Sequence, residues 1–370
     1  MTTEIDRSRL KMLTEREEQR HLAEHPKSAA LFERAKGSLF TGAPYTWQSF
    51  WMFGLPLFIE EGRGAYLTDV DGHRYLDLFL VDHGALYGHS PKAFADAIAE
   101  QVYRGTTFGF PTEDSIWVGE ELTRRFGLPS WQIFMTATDA NRAAMKIARE
   151  VTQRELVLCF NGSYHGALDE TLVSVVDGKL IPHPYGGATY NIGPLPNPES
   201  RTRVVESEDL DALEKVLSSR DIACVITEPT PPQTIACGYI PDPGYHEALR
   251  EITRRYGTLL IYDETHSIVA GPGGCTRLWN LEPDFFVLGK GISGGFPAAV
   301  MGLTQEVAEK ALPLFQERFV QGIGTTTSGS ALAVVALRAT LEHVMTESAY
   351  DRMISGAERM ADGMDKVIKA

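Results

Sequence analysis

The chain has 370 residues, 43% of them hydrophobic and 23% charged, with 35 basic against 49 acidic side chains and a formal net charge of −14. That length suits two or more compact units and a large core, and the composition excludes a disordered or collagen-like chain. The acidic surplus opposes a nucleic-acid surface, so nucleic acid is not an expected partner. No stretch reaches the roughly 18–20 uninterrupted apolar residues that span a bilayer, and the amino terminus is polar where a secretory signal is apolar. A soluble, cytoplasmic protein with no membrane partner is therefore expected. Cys159, Cys224, Cys237 and Cys275 lack the short paired spacings of zinc or redox sites and read as reduced bystanders.

In chain order, residues 6–33 are rich in Arg, Lys, Glu and Leu and predict one or two surface helices. Residues 37–54 crowd Phe40, Tyr45, Trp47, Phe50, Trp51, Met52 and Phe53 among glycines and a proline, which marks a buried or interfacial segment. Short apolar runs on either side of Asp71-Gly72 predict a β-hairpin. Between Ser90 and Pro297 helical and strand patterns alternate. Helices are expected over Lys92–Tyr103, Ser115–Phe126, Asp139–Val151, Leu210–Ser218 and Tyr245–Tyr256. Strands are expected over Gln132–Thr136, Leu156–Phe160, Ala223–Thr227, Thr258–Tyr262 and Phe285–Leu288. Such alternation predicts an α/β fold with a mostly parallel sheet between helices. Two further helices are expected over Ala331–Thr346 and Ala349–Lys369, and the sequence ends inside that helical pattern.

Ligands of open parallel sheets collect beyond the carboxyl ends of the strands, so the residues following each strand come first. After Phe285–Leu288 stands Gly289-Lys290-Gly291 and then Ser293-Gly294-Gly295, where the missing side chains would let a bulky ligand approach the backbone. A desolvated lysine there is a candidate Schiff-base nucleophile, because burial disfavours its ammonium form; the bland alternative is an ordinary surface cation. Asp263, 27 positions earlier and one sheet step away, could keep a protonated pyridine ring cationic, or could merely cap a loop. The strand-to-helix step Thr136-Ala137-Thr138-Asp139 offers free N–H groups and a hydroxyl to a phosphate, or a plain N-cap. Tyr164-His165-Gly166 offers a ring on which a flat heteroaromatic could stack, or an ordinary loop. The three glycines of Gly289–Gly294 also meet a dinucleotide-binding pattern, but Phe296-Pro297 and an apolar run follow where that motif needs a helix. No metal-binding motif is present.

Together these stretches resemble the class III (ω-) aminotransferases of the pyridoxal-phosphate fold type I superfamily, most of all its glutamate-1-semialdehyde aminomutase branch. The likeness runs from about Leu31 to the end, through Gly62–Tyr66, Gly88–Pro91, Phe108–Thr112, Tyr164–Gly166, Glu228-Pro229, Asp263-Glu264, the lysine segment and Gly324–Gly329. It implies a fold type I large domain at 86–327, an N-terminal helical segment at 1–36, an N-terminal part of a small domain with hairpin and active-site entrance at 37–85, and helices at 328–370 leading into a C-terminal small domain expected to be incomplete here. The cofactor would be pyridoxal 5'-phosphate. By the same resemblance Lys290 is the Schiff-base lysine and acid/base, and Asp263 holds the pyridine nitrogen. Tyr164 and Thr265 face the ring, and Ala137 and Thr138 bind the phosphate. His165 and Glu228 lie near the cofactor, and Thr326 reaches the phosphate held by a neighbouring subunit, which implies a homodimer with shared active sites.

Several positions depart from the family pattern. Thr136–Ala140 stands where Ser-Gly-Thr-Glu-Ala is usual, Ser330-Ala331 where Asn-Pro is common, Thr265 where valine is usual, and Pro232 where a glycine follows Glu-Pro. Trp47 falls where the aminomutase has a carboxylate-binding arginine, and His83 where it has a tryptophan. An indole and a guanidinium are opposite partners for a carboxylate. Trp47, Tyr45 and His83 therefore predict a pocket for an amine or amino acid with a bulky apolar or aromatic part, transaminated with a keto acid or aldehyde. An aminomutase, racemase or epimerase is the alternative within the family, and a nicotinamide-dependent oxidoreductase the alternative outside it.

Overall fold

The computed structural model describes residues 5–50, 52–182, 192–193, 196–230, 239–317 and 322–369. Trp51, Pro232 and Cys237 lie outside the described residues. The chain divides into two compact units, Met1–Leu80 with Gly88–Pro91, and Val81–Tyr87 with Lys92–Ala370. Among the described residues no helix is long and apolar enough to cross a membrane.

The first unit contains α1 (Arg7–Glu24), α2 (Pro26–Ala35), α3 (Thr46–Phe50) and an antiparallel sheet of β1 (Ile59–Arg63), β2 (Tyr66–Asp69) and β3 (Arg74–Leu76). Asp6 caps α1 by accepting from the N–H groups of Ser8 and Arg9. The expected hairpin is β2–β3, with Gly72 at φ 96° in its turn. Asp71 does a second job from that turn, because its two carboxylate oxygens accept from the N–H groups of Lys27 and Ser28 at the start of α2. Beneath it the buried Asp69 accepts from Tyr75 and from the His73 backbone, and Tyr75 passes the network on to His25.

The second unit runs α4 (Lys92–Arg104), α5 (Glu113–Phe126), β4 (Ser130–Phe134), α6 (Ala137–Thr152), β5 (Leu156–Phe160), β6 (Ser174–Val176), β7 (Lys179–Ile181), β8 (Thr202–Val205), α7 (Leu210–Leu217), β9 (Ile222–Thr227), α8 (Tyr245–Tyr256), β10 (Leu259–Asp263), α9 (Gly274–Leu278), β11 (Phe285–Leu288), β12 (Ala299–Leu303), α10 (Gln305–Glu317), α11 (Ala331–Ala339) and α12 (Glu347–Lys369). Seven strands form one sheet in the order β4-β12-β11-β10-β9-β5-β8. Only β12 runs antiparallel to its neighbours. The segment from Lys290 to Ala298 is too short for a crossover, which takes a dozen or more residues, so the chain must return in the opposite direction. The central strands β5, β9, β11 and β12 are buried on both faces and accordingly read as continuous apolar runs.

One face of the sheet is covered by α6, whose Ala140, Ala144, Ile147 and Ala148 pack with Val157, Ile226, Ile261 and Val287. The small alanines bring this helix close to the strand ends. On the other face Val118 and Leu122 of α5 and Val334 and Leu337 of α11 pack with Phe286, Leu288 and Val300. Toward the β8 end α7 and α8 close the core over Leu158, Phe160, Val225 and Leu260.

Three expectations are corrected. β4 ends at Phe134 and not at Thr136, because Thr136 leaves the sheet to cap α6 and accepts from the Asp139 N–H. The helix expected over Ala331–Thr346 stops being α-helical at Ala339 and continues as a π-turn, Thr340–Val344, whose far carbonyls Leu341 and Met345 are taken by the Arg125 guanidinium. The edge strand β8 and the hairpin β6–β7 were not anticipated, since three or four half-buried residues give too little periodicity. At the start of α11 Ser330 caps the helix through the Ala333 N–H.

Candidate active site

Because β9, β10 and β11 are parallel neighbours, their carboxyl ends bring Glu228, Asp263 and Lys290 to one edge of the sheet. There Asp263 and Lys290, with the start of α6, border a cavity of about 340 Å³ lined by Gly84, Met135–Thr138, Tyr164–Gly166, Asp263, Thr265, His266, Lys290 and Gly295–Ala298. Of the sequence-predicted site residues it gathers Ala137, Thr138, Tyr164, His165, Asp263, Thr265 and Lys290.

Asp263 is buried, 3% exposed. Its carboxylate accepts from Asn141 Nδ2 at 2.8 Å, from His165 Nδ1 at 3.0 Å and from the Thr265 N–H at 3.2 Å. Burial alone pushes a carboxyl up, but here the bonds from His165, Thr265 and Asn141 win and hold it at about 2. A buried anion with three donors is thus fixed beside the cavity. Glu264, the next residue, serves the backbone instead, accepting from Ser267 Oγ and from the N–H groups of Cys275 and Thr276.

The start of α6 also borders the cavity. Thr136 takes the Asp139 N–H with its hydroxyl and the Ala140 N–H with its carbonyl. The N–H groups of Ala137 and Thr138 precede any intrahelical acceptor, which makes this helix start a ready anion seat. The N-cap is Thr136; the Thr138 hydroxyl accepts from the Ala167 N–H and ties the Tyr164–Ala167 loop to the helix.

Three glycines around Lys290 are required by close packing within the protein, while Gly295 lines the cavity. A Cβ on Gly289 would lie 2.9 Å from Ala137 Cβ, one on Gly291 3.0 Å from the His83 carbonyl, and one on Gly294 2.8 Å from the Phe94 ring. Small residues let the end of β11 pass close to α6, which sets the lysine against the cavity. Lys290–Ser293 form a single 3-10 turn followed by strand β12, so the dinucleotide pattern has no helix to open there.

Sequence reasoning missed two residues on the Lys290 amine. Nζ lies 2.5 Å from Asp82 Oδ2 and also contacts His266 Nε2. His266 Nδ1 in turn lies 3.0 Å from Glu228 Oε1, and Glu228 is only 2% exposed, so it reaches the cavity through the histidine. Burial lowers a histidine, but the bonds to Asp82 and Glu228 and the Glu228 charge raise His266 to about 9. His83 stacks edge-on to His266 at 5.7 Å and is lowered to about 4 by burial and by the charges of His266 and Lys290. Asp82, His83 and Lys290 all have positive φ, 51°, 71° and 50°, a concentration of left-handed non-glycine backbone around one amine. His266 was legible as an imidazole three residues beyond Asp263 at a strand's carboxyl end, and Asn141 as a polar side chain in the apolar stripe of α6.

Trp47 and Tyr45 belong to the first unit, where both side chains are exposed. Thr326 lies exposed in a turn and is not among the residues lining this cavity.

The model of the aminotransferase class-III family matches residues 51–369. The chain is 36% identical over 326 residues to a glutamate-1-semialdehyde 2,1-aminomutase of Chloroflexus aggregans, covering 84% of this chain and 70% of that one. Among solved structures it is similar to a glutamate-1-semialdehyde aminomutase from Pseudomonas aeruginosa, at 43% identity and a TM-score of 0.87 over 93% of this chain and 76% of that one. It is likewise similar to a variant of that enzyme in complex with PMP, at 42% identity and a TM-score of 0.93 over 99% and 81%. An omega-transaminase from Sphaerobacter thermophilus is 28% identical with a TM-score of 0.81, over 92% and 78%. The chain belongs to the class III aminotransferases, enzymes of fold type I whose cofactor is pyridoxal 5'-phosphate.

The cavity fits that cofactor. It brings together an ionised carboxylate, an N–H-lined helix start and an amine, the groups that a ring nitrogen, a phosphate and an aldehyde call for. Two buried polar atoms of its lining, Thr265 Oγ1 and His165 Nε2, have no partner among the described residues.

Proposed function

We propose that this chain moves an amino group between a small-molecule amine and a carbonyl acceptor, with Lys290 and Asp263 as its catalytic residues. The observation that carries the reading is the ionised Asp263 sharing one cavity with the Lys290 amine and the start of α6. When bound, the cofactor's cationic ring supplies a sink for the electron pair left behind when a proton leaves the amine-bearing carbon. Asp263 keeps the ring nitrogen protonated, with His165 and Asn141 fixing its carboxylate. Ala137 and Thr138 hold the phosphate through the helix start. Tyr164 and Thr265 would hold the ring, and Thr326 would hold the phosphate of a partner subunit in a homodimer. Lys290 would hold the cofactor by its aldehyde carbon and, as a free amine, would hold the proton removed from the amine-bearing carbon until it is returned.

For the donor we favour an amine or amino acid with a bulky apolar or aromatic part. Met135, Phe296, Pro297 and Ala298 line the cavity, whose described lining holds no arginine, and the Asp82 carboxylate beside Lys290 would repel a substrate carboxylate placed there. Trp47, Tyr45 and His83 complete this assignment. Aminomutase activity is the second reading, favoured by the 36–43% identity to aminomutases.

Borohydride reduction of the holoenzyme followed by peptide mass spectrometry should place a cofactor label on Lys290; a label elsewhere, or none, refutes the reading. Amino exchange between an arylalkylamine and pyruvate supports the transaminase, whereas isomerisation of a single amino aldehyde with no keto acid present supports the aminomutase. Trp47→Arg should shift preference toward carboxylate-bearing donors while cofactor binding is unchanged, and an unaltered preference removes Trp47 from the pocket.

A further inference from the structure

Resting on the assignment of Lys290 as the reacting amine, one cluster goes beyond it. Lys290 Nζ contacts His266 Nε2, His266 Nδ1 lies 3.0 and 3.2 Å from the two oxygens of Glu228, and Glu228 is buried at 2% exposure. A carboxylate shut away from water must be met by donors, and here the imidazole supplies one. That bond fixes the tautomer, with the proton on Nδ1 directed to Glu228 and Nε2 left to face the lysine. We propose that His266, oriented by Glu228, is a further catalytic residue that takes a proton from Lys290 Nζ and returns it, leaving the lysine a neutral amine in between.

The balance is simple. One N–H bond breaks at Nζ, its electron pair stays on that nitrogen, and a new N–H bond forms at His266 Nε2. No charge leaves the cluster, which passes from ammonium and neutral imidazole to neutral amine and imidazolium. The imidazolium then stands between two anions, Glu228 at 3.0 Å and Asp82 at 3.5 Å, and this makes the ring a better home for the proton than it is in water. The other charged or titratable groups around the cluster act more weakly. His83, edge-on to His266, is itself held neutral, and Asp263 with His165 forms a separate pair beyond Glu228. Asp82 touches Nζ as well, but a carboxylate favours the ammonium form and so cannot do this work alone. Glu228 acts only through the histidine and is a positioning residue.

The test reads the amine itself. Cofactor-free full-length protein is treated with acetic anhydride across pH 6–10, and acetylation of Lys290 is quantified by peptide mass spectrometry. His266→Gln keeps a hydrogen-bonding side chain that accepts no proton, and should move the profile up by about one pH unit, roughly tenfold slower labelling at pH 7.5. Glu228→Gln, which keeps the histidine but removes its counter-charge, should shift it in the same direction by less, and serves if the first variant fails to fold. Profiles of folded variants that coincide with the native one overturn the proposal. Borohydride reduction of each protein loaded with pyridoxal 5'-phosphate separates the two levels. A label on Lys290 with coincident acetylation profiles removes His266 alone, whereas a label absent from Lys290 removes the cofactor assignment and this inference with it.

Discussion

Asp263→Asn removes a charge while keeping the side-chain volume. In the native chain the carboxylate accepts three hydrogen bonds and sits at about 2, so at pH 7.5 only about one molecule in 10⁵ carries it protonated. The anion is therefore present throughout the neutral range. Removing a preorganised group that stabilises developing charge costs about 3–4 kcal/mol of barrier. At about 1.4 kcal/mol per tenfold, loss of the anion facing the ring nitrogen slows proton removal by roughly a hundredfold to a thousandfold. Because Lys290 is untouched, the cofactor should still be captured. The assay follows washout of the proton from the amine-bearing carbon of a donor in deuterated buffer by proton NMR, at saturating donor and cofactor. Native protein should show no acid limb from this residue above about pH 4, since its carboxyl titrates near 2. Exchange in the variant within about threefold of native would refute the electron-sink role of Asp263.

Gly289→Ala brings a Cβ to 2.9 Å from Ala137 Cβ, so either β11 or the α6 start must move; cofactor affinity by absorbance titration should fall about tenfold with a stability loss of about 1–3 kcal/mol. Unchanged affinity would mean that the close approach does not set the phosphate seat. Arg125→Leu frees the carbonyls of Leu341 and Met345 and leaves Glu121 with Arg124 alone, which should cost about 3 kcal/mol in urea unfolding, while an unshifted midpoint would show the π-turn to be held otherwise. His266 rises from its ordinary value to about 9 in the folded chain, so its contribution, about 3 kcal/mol, is fully present below about pH 6.5 and is lost as pH climbs through 9. Urea unfolding of the cofactor-free protein should show this loss, and a native slope retained in His266→Gln would assign it to another group.

Most of the sheet could be read in the chain because its central strands are buried on both faces, and only continuous runs such as Leu156–Phe160 and Phe285–Leu288 satisfy that condition. The same rule located Asp263 and Lys290, since residues just past such runs stand at the carboxyl edge of a parallel sheet. Helix α6 announced its buried face through Ala140, Ala144, Ile147 and Ala148. Where the signal was local and weak, at β8 or at the break in α11, periodicity carried nothing to read, because those features are set by partners far along the chain such as Arg125.

Which residues meet the core and which strand ends carry reactive groups can be read along the chain, because burial acts on each side chain through its own solvation. Who touches whom follows from the folded arrangement. The roles of the two adjacent acids Asp263 and Glu264 diverge because one faces Asn141 and His165 and the other the backbone of Cys275 and Thr276. Asp82 and His266 meet at the Lys290 amine although 184 positions separate them, and no local pattern encodes such a meeting. Hydrogen bonds and charge pairs depend on distances of a few ångströms, which the chain sets only once every strand and helix has its neighbours.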